Sequence, residues 1–441
     1  MSTGNAPRER RFGTDVLWVG GGIAVYGLAS FAFLALCARA LGEGPGYTAL
    51  ALLFTLLNAV GIGLYLPVEQ EASRQVSALR SRGRATAGAL RGPTTYVVGS
   101  LALVAIVLIV AGRWLEVTFF EDVTGMTAVL GLALLGMAVA YLARGVLGGT
   151  GRFPRYGIQL ALDGGLRIVG VLVLTALDVR SATAYGAVLA AAPLMSTALA
   201  LTLAGRLLTR DEDPQPVSTT MRALVAASLG SQLLANAGPV AAQLLRRADE
   251  VATAAQLVNA LTVARIPLFL FAAVQAVFLP QLAAYVARHE RNRFSSSLRT
   301  ALLLTGVIGA FGIGATAVVG PAAVRLLFGP EFDVDRTVIV VLAASAILFM
   351  LVQVIVQAML ALARDGWAIC VWAAGLVGLL LCLVVPLGLA LRVSLALTAG
   401  SATALVVAAL ALRHVMRGWA DATQPVPTAG IPGTTTQEKS P

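Results

Sequence analysis

The chain has 441 residues, of which 58% are hydrophobic and only 12% charged, and its mean hydropathy is +0.84. Soluble globular chains carry about 25% charged residues, so this apolar surplus needs lipid as its solvent and excludes soluble enzymes, disordered chains and disulfide scaffolds. The net charge of +10 then reports orientation in a membrane rather than a nucleic-acid partner. Cys37, Cys370 and Cys382 fall in apolar runs at unrelated spacings, and His289 and His414 stand beside arginines. No disulfide framework or metal cluster is available from these, and no cofactor is expected.

A membrane helix needs about 20 apolar residues at about 1.5 Å each. Twelve windows satisfy this. In chain order they are 16–38, 47–68, 94–112, 125–143, 157–177, 182–205, 223–245, 256–280, 301–324, 337–361, 367–391 and 393–412, the last two separated only by Arg392. The first window is too long for the apolar region of a secretory signal, so it counts as a span. Bulky Leu36 before Cys37 also argues against a lipoprotein signal. After Arg417 the composition turns to Pro, Thr and Gly, which cannot build a core.

With the N-terminus placed inside, the inner segments hold 22 of the 32 basic residues, the outer segments 8, and Arg167 and Arg265 fall within spans. Short loops with this bias place both termini in the cytoplasm.

The two halves echo each other at an offset of 213 residues. Leu66-Pro67 runs into a basic loop with Arg74, Arg80, Arg82 and Arg84, and Leu279-Pro280 runs into another with Arg288, Arg291 and Arg293. Six spans is an even number, so the repeats enter the membrane in the same direction. The expected fold is an all-α polytopic membrane protein of about twelve helices, arranged as two parallel six-helix bundles around a central cavity. Its expected parts are a cytoplasmic N-terminus (1–15), an N-terminal bundle (16–205), a cytoplasmic linker (206–222), a C-terminal bundle (223–412) and a disordered cytoplasmic tail (413–441). Glycines such as Gly306, Gly309 and Gly312 suit close helix approach.

Charges at membrane depth cost about 2.5–3.5 kcal/mol each on insertion scales, so each needs a partner or a wet cavity. Asp163 and Arg167 stand four apart on the fifth span, within pairing reach on one helix face. Arg265 stands two residues before Pro267 in the eighth, where the proline can kink the helix. One reading is a cationic cavity that grips an anionic head group through Arg265 and Arg167, with Asp163 orienting Arg167. The other is a closed Asp163–Arg167 pair, with Arg265 bonded to carbonyls.

Neutral amides recur in the same spans: Gln232, Asn236 and Gln243 on the seventh, Gln256, Asn259 and Gln275 on the eighth, Gln353 and Gln357 on the tenth. Such groups bind sugar hydroxyls or bond helix to helix. Glu69 and Glu71 are expected to be solvated at the inner interface. A single carboxylate within the spans, one turn from an arginine, disfavours a cation-coupled exporter of cationic drugs. The outer loops are short, and their widest acidic cluster is Glu331, Asp333 and Asp335. They offer little room for a membrane glycan polymerase or ligase, so the chain is not expected to be an enzyme.

Ala38-Arg39-Ala40-Leu41-Gly42, a short turn with Tyr47, and the run Ala51 to Leu66 before a basic loop resemble the first two helices of bacterial polysaccharide-biosynthesis flippases. These belong to the multidrug/oligosaccharidyl-lipid/polysaccharide exporter superfamily. Ala254-Ala255-Gln256-Leu257 through Arg265-Ile266-Pro267 to Phe278-Leu279-Pro280-Gln281-Leu282 resembles their eighth helix. The resemblance implies a transporter of the bacterial plasma membrane. It would flip an undecaprenyl-diphosphate-linked oligosaccharide from the inner to the outer leaflet by alternating access. Its partners would be that anionic glycolipid, membrane lipids and the glycan-assembly machinery. Arg265 and Arg167 are the positions that could hold the diphosphate. The superfamily's multidrug branch shares the twelve-span plan and stands as the alternative.

Overall fold

The computed structural model describes residues 6–81, 86–202, 219–264, 282, 285–286, 288–329, 334–362 and 364–422. All regular structure among them is helical. In chain order, α1 is Ala6–Leu41, α2 is Pro45–Leu56, a π-helical turn covers Leu57–Ile62 and α3 is Gly63–Ser81. Next come α4 (Arg91–Thr118), α5 (Met126–Gly149), α6 (Phe153–Ala176) and α7 (Ala182–Thr202). The second half holds α8 (Thr219–Leu245), α9 (Val251–Ala264), α10 (Arg291–Phe328), α11 (Arg336–Ala361), α12 (Asp365–Leu383) and α13 (Leu389–Ala422).

Eleven continuous helical segments among the described residues are long and apolar enough to cross a membrane. The expected eighth span is described only as far as Ala264. Their outward faces carry Ile109, Val110, Leu303, Phe311 and Val318, each more than 70% exposed. Apolar surface this extensive is stable only against lipid tails. The chain is therefore a multi-pass membrane protein.

Helices α1–α7 pack mainly among themselves, with α1 against α6 and α5 against α3 and α7; α8–α13 form a second lobe around α11, α12 and α13. The lobes meet where α3 and the π-helical turn lie along α8. Gly63 allows close approach at that seam, where a Cβ would lie 3.2 Å from the Leu229 Cα. Within the first lobe α1 and α6 cross almost backbone to backbone: a Cβ on Gly157 would run into the carbonyl of Trp18. Of the glycines expected to pack on the ninth span, Gly309 does so against Ile347, whereas Gly306 has open space around it.

Several boundaries differ from expectation, because hydropathy marks the lipid-immersed part of a helix and not its ends. Pro67 does not end the second span, which runs on to Ser81. The last two spans are separated by 384–388, and Arg392 lies inside α13. Its Nε donates to the Leu383 carbonyl at 2.6 Å, satisfying an end of α12 that a helix leaves bare. The segment 413–422, expected to be disordered, is the last part of α13, and α1 starts at Ala6, within the expected N-terminal tail. Asp335 caps α11 by accepting from the Thr337 and Val338 amides at 2.8 and 3.3 Å. Hydrogen bonds from Thr337, side chain then backbone, hold its carboxyl below the usual carboxylate range.

Candidate functional site

A cavity of about 370 Å³ lies between the lobes, walled by α1, α2, the π-helical turn, α8, α9, α11 and α13. Its size is within the range of about 300–1,000 Å³ usual for small-molecule sites. Tyr26 and Ser30 come from α1, Thr55 and Asn58 from the second span, Gln232 and Asn236 from α8, Ser345 and Gln353 from α11, and Ser401 from α13. Phe31, Phe54, Leu261 and Phe349 supply much of the apolar remainder. None of the described lining residues is charged.

Many of these polar groups are tied to their own helix. Ser30, Thr55 and Ser345 hydroxyls donate to backbone carbonyls three or four residues back, at 2.7–2.9 Å. Asn58 and Asn236 amides donate to the Phe54 and Gln232 carbonyls, both at 2.9 Å. A hydroxyl whose proton is so engaged presents its lone pairs. This part of the wall therefore offers mainly acceptors, which suits a ligand rich in hydroxyl or N–H donors. The π-helical turn, a form often found at functional sites, brings Asn58 and Ile62 to the wall.

Among the expected site residues, Asn236 and Gln353 line the cavity. Gln243, seven residues after Asn236 and about 10 Å further along the helix, instead donates to the Thr118 carbonyl and to Glu121, both at 2.8 Å. Asn259 is fully buried and accepts from the Tyr47 hydroxyl at 2.5 Å across the seam between lobes. Gln357 has a buried Oε1 without a hydrogen-bond partner and is not in the cavity lining. Arg265 and Gln275 lie outside the described residues.

Asp163 and Arg167 form a closed pair, both more than 95% buried, with Arg167 Nε and Nη2 each 2.9 Å from the same Asp163 oxygen. Arg167 also donates to Ser30 Oγ at 3.4 Å and the Tyr26 hydroxyl at 3.1 Å, and stacks on the Tyr26 ring. The pair therefore stands behind the cavity wall and holds two of its residues, rather than facing the hollow. Burial of both charges explains this, since each would otherwise be stranded in a low dielectric.

A second polar cluster joins α3, α5, α6 and α7. Arg144 donates to Glu69 at 3.0 Å, Tyr156 donates to Glu69 at 2.5 Å, and Gln159 reaches Ser196 at 3.1 Å. Arg144 also lies over the Tyr141 ring. Glu69 is thus paired rather than solvated. Glu71, 1% exposed, is held by Arg74 and Gln75 at 2.6–2.8 Å. Tyr26, Ser30, Thr55, Asn58, Ser345 and Ser401 were not expected at the site. Single hydroxyls carry little signal in an apolar run, although Asn58, an amide amid Ala51–Leu66, was a legible one.

No protein-family model matches the chain. It is 27% identical over 409 residues to an uncharacterized protein of Mycobacterium tuberculosis also found in Mycobacterium bovis, covering 90% of this chain and 92% of that protein. A second uncharacterized Mycobacterium tuberculosis protein is 27% identical over 368 residues, or 78% of this chain and 80% of that one. Among solved structures, a multidrug resistance MATE family transporter of the MOP superfamily matches in its inward-facing conformation (TM-score 0.66, 15% identity, 91% of this chain and 96% of that one). Its outward-facing counterpart matches equally well (TM-score 0.67, 14% identity, 92% and 96%). A MOP superfamily transporter from Pyrococcus furiosus with a binding pocket of reverse polarity gives a TM-score of 0.63 at 15% identity, over 92% of this chain and 96% of that one. The chain shares their two-lobed fold.

Proposed function

We propose that the chain is an alternating-access transporter that carries an undecaprenyl-diphosphate-linked oligosaccharide, or a related anionic glycolipid, to the outer leaflet of a bacterial plasma membrane for surface polysaccharide synthesis. The observation that carries this reading is the cavity at the seam of two lobes, walled by neutral amides and hydroxyls. Sugars are recognised by hydrogen bonds over a partly apolar surface, and the amides and hydroxyls beside the Tyr26 and Phe349 rings offer both. The basic-residue bias supports cytoplasmic termini. Arg265, a cation that the sequence sets in the eighth span two residues before Pro267, suits an anionic head group. We assign it the diphosphate, with the Asp163–Arg167 pair stiffening the wall.

The second reading is export of a small molecule, the activity named for the multidrug MATE neighbours. The uncharged described wall favours it to the extent that it lacks an anion-binding group. Cells lacking the chain separate the two. Lipid-linked oligosaccharide retained on the inner leaflet supports the flippase. Unchanged glycan with increased sensitivity to a cationic drug supports the exporter.

A further inference from the structure

Among the described residues, most polar contacts that join the lobes lie toward the end of the bundle opposite the chain termini, with Ser228 to the Ile62 carbonyl an exception. The turn between α4 and α5 is the most elaborate of them. Its consecutive residues Glu121 and Asp122 have φ of 51° and 62°, a left-handed conformation that is unfavourable for non-glycine residues and persists only where surroundings enforce it. The first lobe enforces it: Asp122 accepts from Arg113 at 2.6 Å, its amide donates to the Glu116 carbonyl at 2.8 Å, and Glu116 accepts from the Gly125 amide at 3.0 Å. The hydrogen bonds of Glu121 point the other way, beside a donation from Gln243 to the Thr118 carbonyl at 2.8 Å. The Glu121 Oε1 accepts from Gln243 on α8 at 2.8 Å and from Arg246, the first residue after that helix, at 2.5 Å, both in the second lobe. The side chains of Glu121 and Arg246 are 13% and 15% exposed, and Arg246 Nη1 is buried with no hydrogen-bond partner. At the same end of the bundle, Arg39 at the end of α1 donates to the Leu326 and Leu327 carbonyls at the end of α10.

We propose that Glu121 is a latch that holds the two lobes shut at this end, and that its release from Arg246 and Gln243 is the step that lets the cavity open there. The strained turn presents the carboxylate across the seam. A mostly buried charge-assisted contact at the rim of the seam is strong enough to bias the lobes, and a single one is weak enough to break in each cycle. Arg39 adds a second, backbone-directed tie. The latch rests on the transporter reading but needs no particular substrate, so it is tested on lobe separation alone.

The test places spin labels on Arg180→Cys in the first lobe and Leu387→Cys in the second, both exposed at the same end. The background lacks the three native cysteines, and the protein is reconstituted in lipid. One short distance is expected without further change. Glu121→Ala and Arg246→Ala should each raise the ratio of long to short distances about ten-fold, within the range of ordinary coupling between sites. Asp122→Ala, which loosens the turn by removing the Arg113 contact but keeps the Glu121 carboxylate, should raise the ratio clearly less than Glu121→Ala does. An unchanged distribution in Glu121→Ala overturns the latch. So does equal opening by Asp122→Ala, which would assign the effect to the turn's integrity. Both hold whatever the substrate proves to be.

Discussion

Asp163→Ala is the most informative single change in the first lobe. Arg167 would keep its hydrogen bonds to Ser30 at 3.4 Å and Tyr26 at 3.1 Å but lose both 2.9 Å contacts to the carboxylate. A guanidinium 5% exposed would be left without a counter-charge. Removing one partner of a buried pair costs about 3–5 kcal/mol, whereas replacing both by apolar groups of similar volume is often neutral. Asp163→Ala should therefore lower the unfolding free energy by about 3–5 kcal/mol, and Asp163→Leu with Arg167→Met should recover most of that. Reversible unfolding of the purified protein in mixed micelles measures both. The reasoning fails if Asp163→Ala leaves stability within about 0.5 kcal/mol, or if the double apolar variant is as unstable as the single one. Stable Asp163→Ala protein without transport would instead make the carboxylate a working group.

Three other outcomes follow from the geometry. Gln353→Leu, at the cavity wall, should change stability by under about 1 kcal/mol and cut surface glycan at least several-fold, measured on whole cells with protein levels matched. Gly157→Leu should force α1 and α6 apart where the Trp18 carbonyl sits. Overpacking typically costs about 1–3 kcal/mol, seen as a lower unfolding midpoint, while Gly306→Leu, with open space around it, should be close to neutral. A reporter fused after Arg417 should be active only in the cytoplasm, and activity outside would overturn the orientation.

The architecture was largely legible because lipid imposes a simple rule: runs of apolar residues must be long enough to satisfy their own backbone within the membrane. Helix ends were not legible in the same way. Polar residues of α3 after Pro67, among them Glu69 and Arg74, interrupt hydropathy but not hydrogen bonding, since partners such as Arg144 and Tyr156 wait across the lobe. Arg392 read as a spacer because its carbonyl partner, Leu383, belongs to another helix. The site was legible in kind rather than in position. Asn236 and Gln243 share a face by spacing, yet one lines the cavity and the other docks on Glu121, because periodicity gives direction around a helix and says nothing of depth. The sequence left Arg167 open between a ligand and a closed pair with Asp163, because its ties to Tyr26 and Ser30 on α1 cannot be read from α6 alone.

Transport of a glycolipid through the seam is tested most directly in sealed vesicles containing only the purified chain and a lipid-linked oligosaccharide in both leaflets. A membrane-impermeant glycosidase added outside should cleave nearly all of the oligosaccharide when the chain is present and only the outer-leaflet share when it is absent. Cleavage that stops at the outer-leaflet share with the chain present, while the same vesicles transport a cationic dye, would contradict the account.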